Sequence, residues 1–372
     1  MNKIVSKVQF SEKVFKLEVE APLIAKARRA GHFVIVRVDE KGERVPLTIA
    51  GSDVEKGTIT LVIQTVGAST SQLCALNEGD YIADVVGPLG KATHIENYGT
   101  VLCAGGGVGT APMLPIIQAL KAAGNRVISV IAGRSKDLII LEDKVRKSSD
   151  EVIIMTDDGS YGKQGVVTVG MEEVIQREKV DKCFAIGPAI MMKFCCLLTK
   201  KYEIPTDVSL NTIMVDGTGM CGACRISVGG KTKFVCVDGP EFDGHLVDFN
   251  EMMQRGGAFK AEELEAMEAY QKALNGEAPT QEAAPAKAEE APVAPLSVDE
   301  MDTTTPLAEL IDRSAPYREA LRKSMKSKER TQIERCQMPE LDPVYRATTR
   351  VEEVNKGLTV QQAMTEAKRC LD

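Results

Sequence analysis

Thr100-Val-Leu-Cys-Ala-Gly-Gly-Gly-Val-Gly-Thr-Ala-Pro-Met-Leu-Pro-Ile-Ile-Gln-Ala-Leu120 runs a short apolar segment into a glycine-rich turn and then into a helical pattern. Glycines at 105, 106, 107 and 109 let the backbone approach a diphosphate, and the free amides that open the following helix favour its negative charge. The spacing departs from the G-x-G-x-x-G dinucleotide fingerprint. Its place after a strand and before a helix nevertheless makes Gly105, Gly106, Gly107, Gly109 and Thr110 candidate nucleotide-binding residues, with a structural glycine turn as the alternative.

Downstream of this turn, apolar runs at residues 127–132, 152–156 and 182–186 alternate with helical stretches, as in a parallel sheet covered by helices. Gly133-Arg134, Asp157-Asp-Gly-Ser160 and Gly187-Pro188 each follow one of these runs. They therefore fall at the carboxyl edge, where doubly wound sheets bind ligands. Residues 98–205 are expected to form a nucleotide-binding α/β domain.

Upstream, residues 1–97 break into short β segments, among them 31–38, 45–50, 58–64 and 81–86, separated by Gly, Asp and Pro. That pattern predicts a small antiparallel barrel, closed at Gly87-Pro-Leu-Gly90. Within it, Arg44-Val-Pro-Leu-Thr48 offers a cation, a hydroxyl and extended backbone (Arg44, Pro46, Leu47, Thr48) suited to a flat ring with a phosphate tail. Gly67-Ala-Ser-Thr70, with Gly67, Ser69 and Thr70, opens a helix that can meet phosphate oxygens. Together they point to FAD or FMN.

Further along lies Asp216-Gly-Thr-Gly-Met-Cys221-Gly-Ala-Cys224, followed by Cys236. The spacing is that of a plant-type [2Fe–2S] site with aspartate in place of the first cysteine. Asp216, Cys221, Cys224 and Cys236 are the expected metal ligands. Zinc on Cys221, Cys224, Cys236 and His245 is the competing reading, and Asp216 as a plain turn residue is another. The cluster module is placed at residues 206–250 and a charged helix at 251–274.

Composition narrows the field. The 372 residues, 44% of them hydrophobic, suffice for two or three buried cores. A net charge of −7 without a basic, aromatic-laced tract excludes a nucleic-acid surface. No apolar run is long enough to insert in a membrane and the N-terminus carries no signal peptide, so the chain is expected in the cytoplasm. Cys103 and Cys183 read as core residues, whereas Cys74, Cys195 and Cys196 carry no motif. His32, His94 and His245 sit in no triad context, so no hydrolytic site is expected. Residues 275–296, with four prolines among Ala and Glu, read as a disordered linker. Residues 297–372 regain helical patterning, with helices predicted over 306–326 and 359–371, as an appendage that docks on a partner.

These motifs resemble the ferredoxin-reductase-like electron-transfer subunits, a family that includes the electron-transfer subunit of dihydroorotate dehydrogenase. The likeness is greatest to the small subunits of electron-bifurcating, NADH-dependent reduced ferredoxin:NADP+ oxidoreductases. It covers about residues 1–250, and Asp216 is its most specific element, because those small subunits use one aspartate and three cysteines where the dihydroorotate sibling uses four cysteines. The resemblance implies a flavin barrel, a parallel-sheet nucleotide domain, a [2Fe–2S] module and, on a flexible linker, a helical appendage. FAD, NAD(H) and [2Fe–2S] are the cofactors expected.

In that scheme NADH docks on the glycine loop, its nicotinamide stacks on the flavin, and electrons pass singly through the cluster to a partner large subunit, itself like the glutamate synthase small subunit. The chain alone should not bifurcate. Glu142 is compatible with NAD. Residues 335–371 resemble the opening of that large subunit, with Cys336 and Cys370 either remnants or donors to a shared cluster. Two alternatives stay open: an electron-transfer subunit of dihydroorotate, sulfide or glutamate synthase chemistry, and an adaptor whose redox sites are degenerate.

Overall fold

In strand β5 (Thr58–Gln64) Ile59, Leu61 and Ile63 alternate with Thr58, Thr60 and Val62. The first three point into a closed apolar core with Ile4, Leu17, Val19, Val34, Val36 and Ile49, as the two-residue period of a strand requires. Around that core run β1 (Asn2–Ser11), β2 (Val14–Glu20), β3 (Phe33–Arg37), β4 (Val45–Asp53), β5, β6 (Tyr81–Ile82) and β7 (Asp84–Leu89), in the order β6-β1-β2-β5-β4-β3-β7. The two edge strands are consecutive in sequence, with only Ala83 between them, so the chain itself bridges the edges of an antiparallel barrel. The sequence pattern predicted one strand over 81–86. Helices α1 (Pro22–Ala27) and α2 (Ala68–Ala75) sit between barrel strands. This computed structural model describes residues 1–40 and 42–275.

The second sheet is built on β8 (Thr100–Gly106), whose Val101 and Cys103 face one side and Leu102 and Ala104 the other, all buried. Its order is β11-β10-β9-β8-β12-β13-β16, with β9 (Arg126–Gly133), β10 (Glu151–Thr156), β11 (Lys163–Gln164), β12 (Lys182–Ile186) and β13 (Thr206–Ser209) parallel and only β16 (Glu241–Asp243) antiparallel. Helices α3 (Thr110–Ala122) and α4 (Glu142–Ser148) cover one face, and α5 (Val167–Arg177) and α6 (Ala189–Lys201) the other. Burial on both faces explains why these strands read as continuous apolar runs. Cys103, Cys183, Cys195 and Cys196 all lie in this core, and burial raises each thiol's pKa, which makes them inert.

The hairpin of β14 (Arg225–Val228) and β15 (Lys231–Phe234) leads into the short helix α7 (Val235–Asp238), with α8 (Phe249–Gly256) packed behind. Helix α9 (Lys260–Leu274) follows, with no buried residue. The predicted linker beyond Asn275, the helices predicted over 306–326 and 359–371, and Cys336 and Cys370 lie outside the described residues.

Candidate functional site

Strand β4 organises the site. Residues 45–48 pair with β3 on one side, Val36↔Val45 through Phe33↔Thr48, but β5 pairs only with residues 49–53 on the other. Past Gln64 the chain turns away through Gly67 into α2. Residues 45–48 are thus left half-exposed, with one edge of backbone outside the sheet ladder. Unpaired backbone must find hydrogen-bond partners, and the edge formed by Pro46, Leu47 and Thr48 fits the rim of a flat polar ring. Pro46, with no N–H, is tolerated because that edge is not in a ladder.

The N-terminus of α2 faces the same region. A methyl group added at Gly67 would meet nothing within 4 Å, so this cradle is open to a phosphate group. Two expected phosphate contacts are committed elsewhere. The Ser69 hydroxyl donates to Glu43 at 2.5 Å. The Thr70 hydroxyl accepts from the Val66 and Gly67 amides and donates to the Gly67 carbonyl. Thr70 thus shapes its own turn.

Further along β4, Ala50 packs with Val14 and Val62 on the outer face of the barrel against Ala111 of α3 and Ile140. The glycine loop that opens α3 is thereby held next to the flavin-type strand. The loop sits where strand order reverses about β8, with β9 on one side and β12 on the other, the crevice that binds ligands in such sheets. Gly109 must be glycine, because a methyl there would stand 2.5 Å from the Ile186 carbonyl oxygen and 2.8 Å from Gly187 Cα. One at Gly106 would strike Met191 and crowd Pro188, and Gly105 lies against Met113 and Thr110. Gly107 is different: it has φ +54° and open space where a side chain would point. Thr110 is fully buried at the start of α3, and its hydroxyl has no hydrogen-bond partner among the described residues. An orphaned buried hydroxyl beside an open glycine cradle fits an anionic ligand.

The structure brings Gly187 and Pro188 against this loop. Gly133, Arg134 and Asp157 stand along the same edge, where the Asp157 amide donates to the Gly133 carbonyl at 3.1 Å. Glu142 is engaged by the Tyr161 hydroxyl (3.0 and 3.1 Å) and by Arg146 (2.7 Å).

The four expected ligands form two pairs. Cys221 Sγ donates to Asp216 Oδ1 at 3.2 Å, and Cys224 Sγ lies 3.3 Å from Cys236 Sγ. A [2Fe–2S] cluster has two irons, each needing two protein donors, so two pairs fit it. Among the described residues no three such groups gather as one mononuclear ion would require. His245, the fourth ligand of the zinc reading, instead shares a hydrogen bond with the Thr199 hydroxyl at 3.0 Å.

The Asp216 carboxylate also accepts from the Thr218, Met220 and Cys221 amides and the Thr218 hydroxyl. Desolvation works to raise its pKa, but the Cys221 thiol, Thr218 and the Cys221 amide together hold it well below the usual carboxylate range. Burial and the neighbouring Cys224 raise Cys236, a proton that iron must displace.

The cluster loop is seated on the barrel. Gly217 has φ +77°, and a side chain there would collide with Ile35 and Leu89 at 2.7 and 2.8 Å. Three arginines hold the loop's carbonyls: Arg255 on Ala223 (3.2 Å) and Arg225 on Gly222 (3.2 Å), neither flagged by sequence, and Arg44, by its Nε, on Val215. Arg44 was expected at a flavin phosphate. Its contact lies 171 residues away, beyond the reach of local sequence pattern.

Residues 211–248 match the iron-sulfur cluster binding domain of dihydroorotate dehydrogenase B. The chain is 49% identical over 272 residues to the dihydroorotate dehydrogenase B (NAD(+)) electron transfer subunit homolog of Thermotoga maritima, covering 73% of this chain and 96% of that protein. It is 31% identical to the dihydroorotate dehydrogenase B electron transfer subunit of Clostridium perfringens, covering 66% and 97%. A solved structure of the NADH-dependent reduced ferredoxin-NADP oxidoreductase, described for flavin-based electron bifurcation, contains a chain 47% identical to this one. That alignment has a TM-score of 0.71 and covers 73% of this chain and 98% of that one. With barrel, parallel sheet and paired cluster donors in one unit, the chain belongs to the family of dihydroorotate dehydrogenase B-type electron-transfer subunits and is an oxidoreductase component.

Proposed function

We propose that this chain exchanges electrons with NAD(H) through a bound FAD and hands them singly, by way of a [2Fe–2S] cluster, to a larger flavoprotein subunit. The carrying observation is the arrangement along β4: α3 and its glycine loop pack at Ala50, the open edge lies at residues 45–48, and the cluster loop is tied on at Arg44. A bound flavin accepts two electrons together and releases them one at a time, as a one-electron cluster needs. The first two parts of that sequence meet on β4, and the third is tied at the residue just before it.

The chain's own groups bind and orient. Gly105, Gly106, Gly107, Gly109, Thr110, Gly187 and Pro188 receive the dinucleotide, with Gly133, Arg134 and Asp157 along the same edge. Pro46, Leu47 and Thr48 present backbone to the flavin ring, while Gly67 and the free amides of α2 take its phosphates. Asp216 with Cys221 holds one iron, and Cys224 with Cys236 the other. Cys224 and Cys236 are buried, whereas Cys221 is exposed and Met220 beside it is 89% exposed. The cluster's outer side therefore faces a partner.

The partner proposed is a large subunit of the ferredoxin:NADP oxidoreductase type, like the glutamate synthase small subunit, and the place proposed is the cytoplasm. No helix among the described residues is long and apolar enough to cross a membrane. The aspartate ligand favours this partner over a dihydroorotate dehydrogenase. Anaerobic reconstitution tests the reading: about one flavin, two irons and two acid-labile sulfides per chain are expected. A protein that takes up zinc alone and no flavin sinks it.

A further inference from the structure

We infer that Arg44 is a positioning residue that fastens the flavin-binding strand to the iron held by Asp216, and so sets both the placement and the electrostatics of the flavin-to-cluster step. The inference rests on the proposed function. Arg44 immediately precedes the open segment of β4, and its Nε donates to the carbonyl of Val215, the residue covalently before Asp216. Of the three arginines on this loop, Arg225 belongs to the hairpin that follows the loop and Arg255 comes from α8. Arg44 alone of these three comes from the barrel.

The contact is reinforced by shape. Gly217, one residue past Asp216, lies flat on Ile35 and Leu89 of β3 and β7, and Ile35 pairs with Pro46 in the flavin-type segment. The loop thus touches the barrel on both sides of Asp216, by a charged hydrogen bond before it and an apolar seat after it. A permanent cation there also favours a carboxylate ligand and the more negative, reduced state of its iron. Arg44 is suited to this because guanidinium stays charged and carries several donors, so one nitrogen can hold Val215 while others serve the flavin.

The test uses full-length, reconstituted protein and the variants Arg44→Met and Arg44→Lys. Hydrogen exchange of residues 214–222 and the dithionite-driven midpoint of the cluster, read by paramagnetic resonance, need no flavin turnover. Arg44→Met is expected to speed exchange in 214–222 by about tenfold, the scale of a lost charge-assisted hydrogen bond, and to move the midpoint more negative. Arg44→Lys should restore the midpoint more fully than the protection, since it keeps charge but not the fork. Unchanged exchange and midpoint in Arg44→Met, with only flavin content lowered, overturns the inference. A wild-type chain silent after dithionite overturns the iron–sulfur reading itself, and the exchange comparison still decides whether Arg44 anchors the loop.

Discussion

The Sγ atoms of Cys224 and Cys236 lie 3.3 Å apart, both thiols being 1% exposed, while the other donor pair, Asp216 and Cys221, stands at the surface. The two halves of the cluster site therefore differ in environment. Cys224→Ala or Cys236→Ala should abolish cluster assembly, with iron falling from about two per chain to near zero. Asp216→Cys should retain iron and change the resonance spectrum of the reduced cluster, because thiolate is a softer donor than carboxylate. Iron analysis and low-temperature resonance spectra check both. An Asp216→Ala protein with full iron and an unaltered spectrum would remove Asp216 from the ligand set.

Two neighbouring glycines should fail in different ways. Gly109→Ala forces a methyl onto the Ile186 carbonyl, which is fixed backbone, at a cost on the order of 2 kcal/mol. Gly107→Ala has open space but an unfavourable φ of +54°, a cost of about 1 kcal/mol. Its methyl would instead occupy the approach of the nucleotide, weakening NADH binding by about tenfold. Thermal unfolding and NADH titration separate them: Gly109→Ala loses mainly Tm, Gly107→Ala mainly affinity.

The Thr110 hydroxyl gives a cleaner test, since no hydrogen bond among the described residues is lost with it. Thr110→Val should leave stability unchanged or raise it by up to about 1 kcal/mol, and should lower NADH affinity roughly fivefold. Equal affinity with lower Tm would assign Thr110 a packing role only.

Much of the framework was legible. The apolar runs of the second sheet stand out because both faces are buried, and β8, β9, β10 and β12 each contain the run predicted for them. Strands β1 and β2 were not singled out. Their charged faces and two register shifts, at Ile4/Ser6 and Gln9/Ser11, blur the alternation. The cluster spacing was legible because its donors are local. The contact of Arg44 with Val215, the diversion of Ser69 to Glu43, and the burial of Glu241 depend on distant chain segments meeting, which no periodicity encodes.

Glu241, on the edge strand β16, carries a pH dependence. Burial chiefly, and the charge of Asp207, push its pKa up to about 7, against the hydroxyls of Ser209 and Thr93. Its Oε1 has no partner among the described residues. An unfolded carboxyl ionises near 4.5, so between about pH 4.5 and 7 the native state holds a proton that the unfolded state has lost. This contribution is fully present below pH 4.5, declines as pH rises, and is gone above about 7, roughly 3 kcal/mol in all. Glu241→Gln should flatten the stability profile across that window in denaturant titrations. An identical slope in both proteins would show that Glu241 ionises normally.

Titration of the reconstituted, anaerobic chain with NADH, following flavin absorbance and cluster resonance together, tests the central claim most directly. Flavin bleaching accompanied by a growing reduced [2Fe–2S] signal, with no partner subunit added, is the predicted result. A flavin that bleaches while the cluster stays oxidised, although dithionite reduces that cluster readily, would contradict the claim that β4 joins the three sites into one electron path.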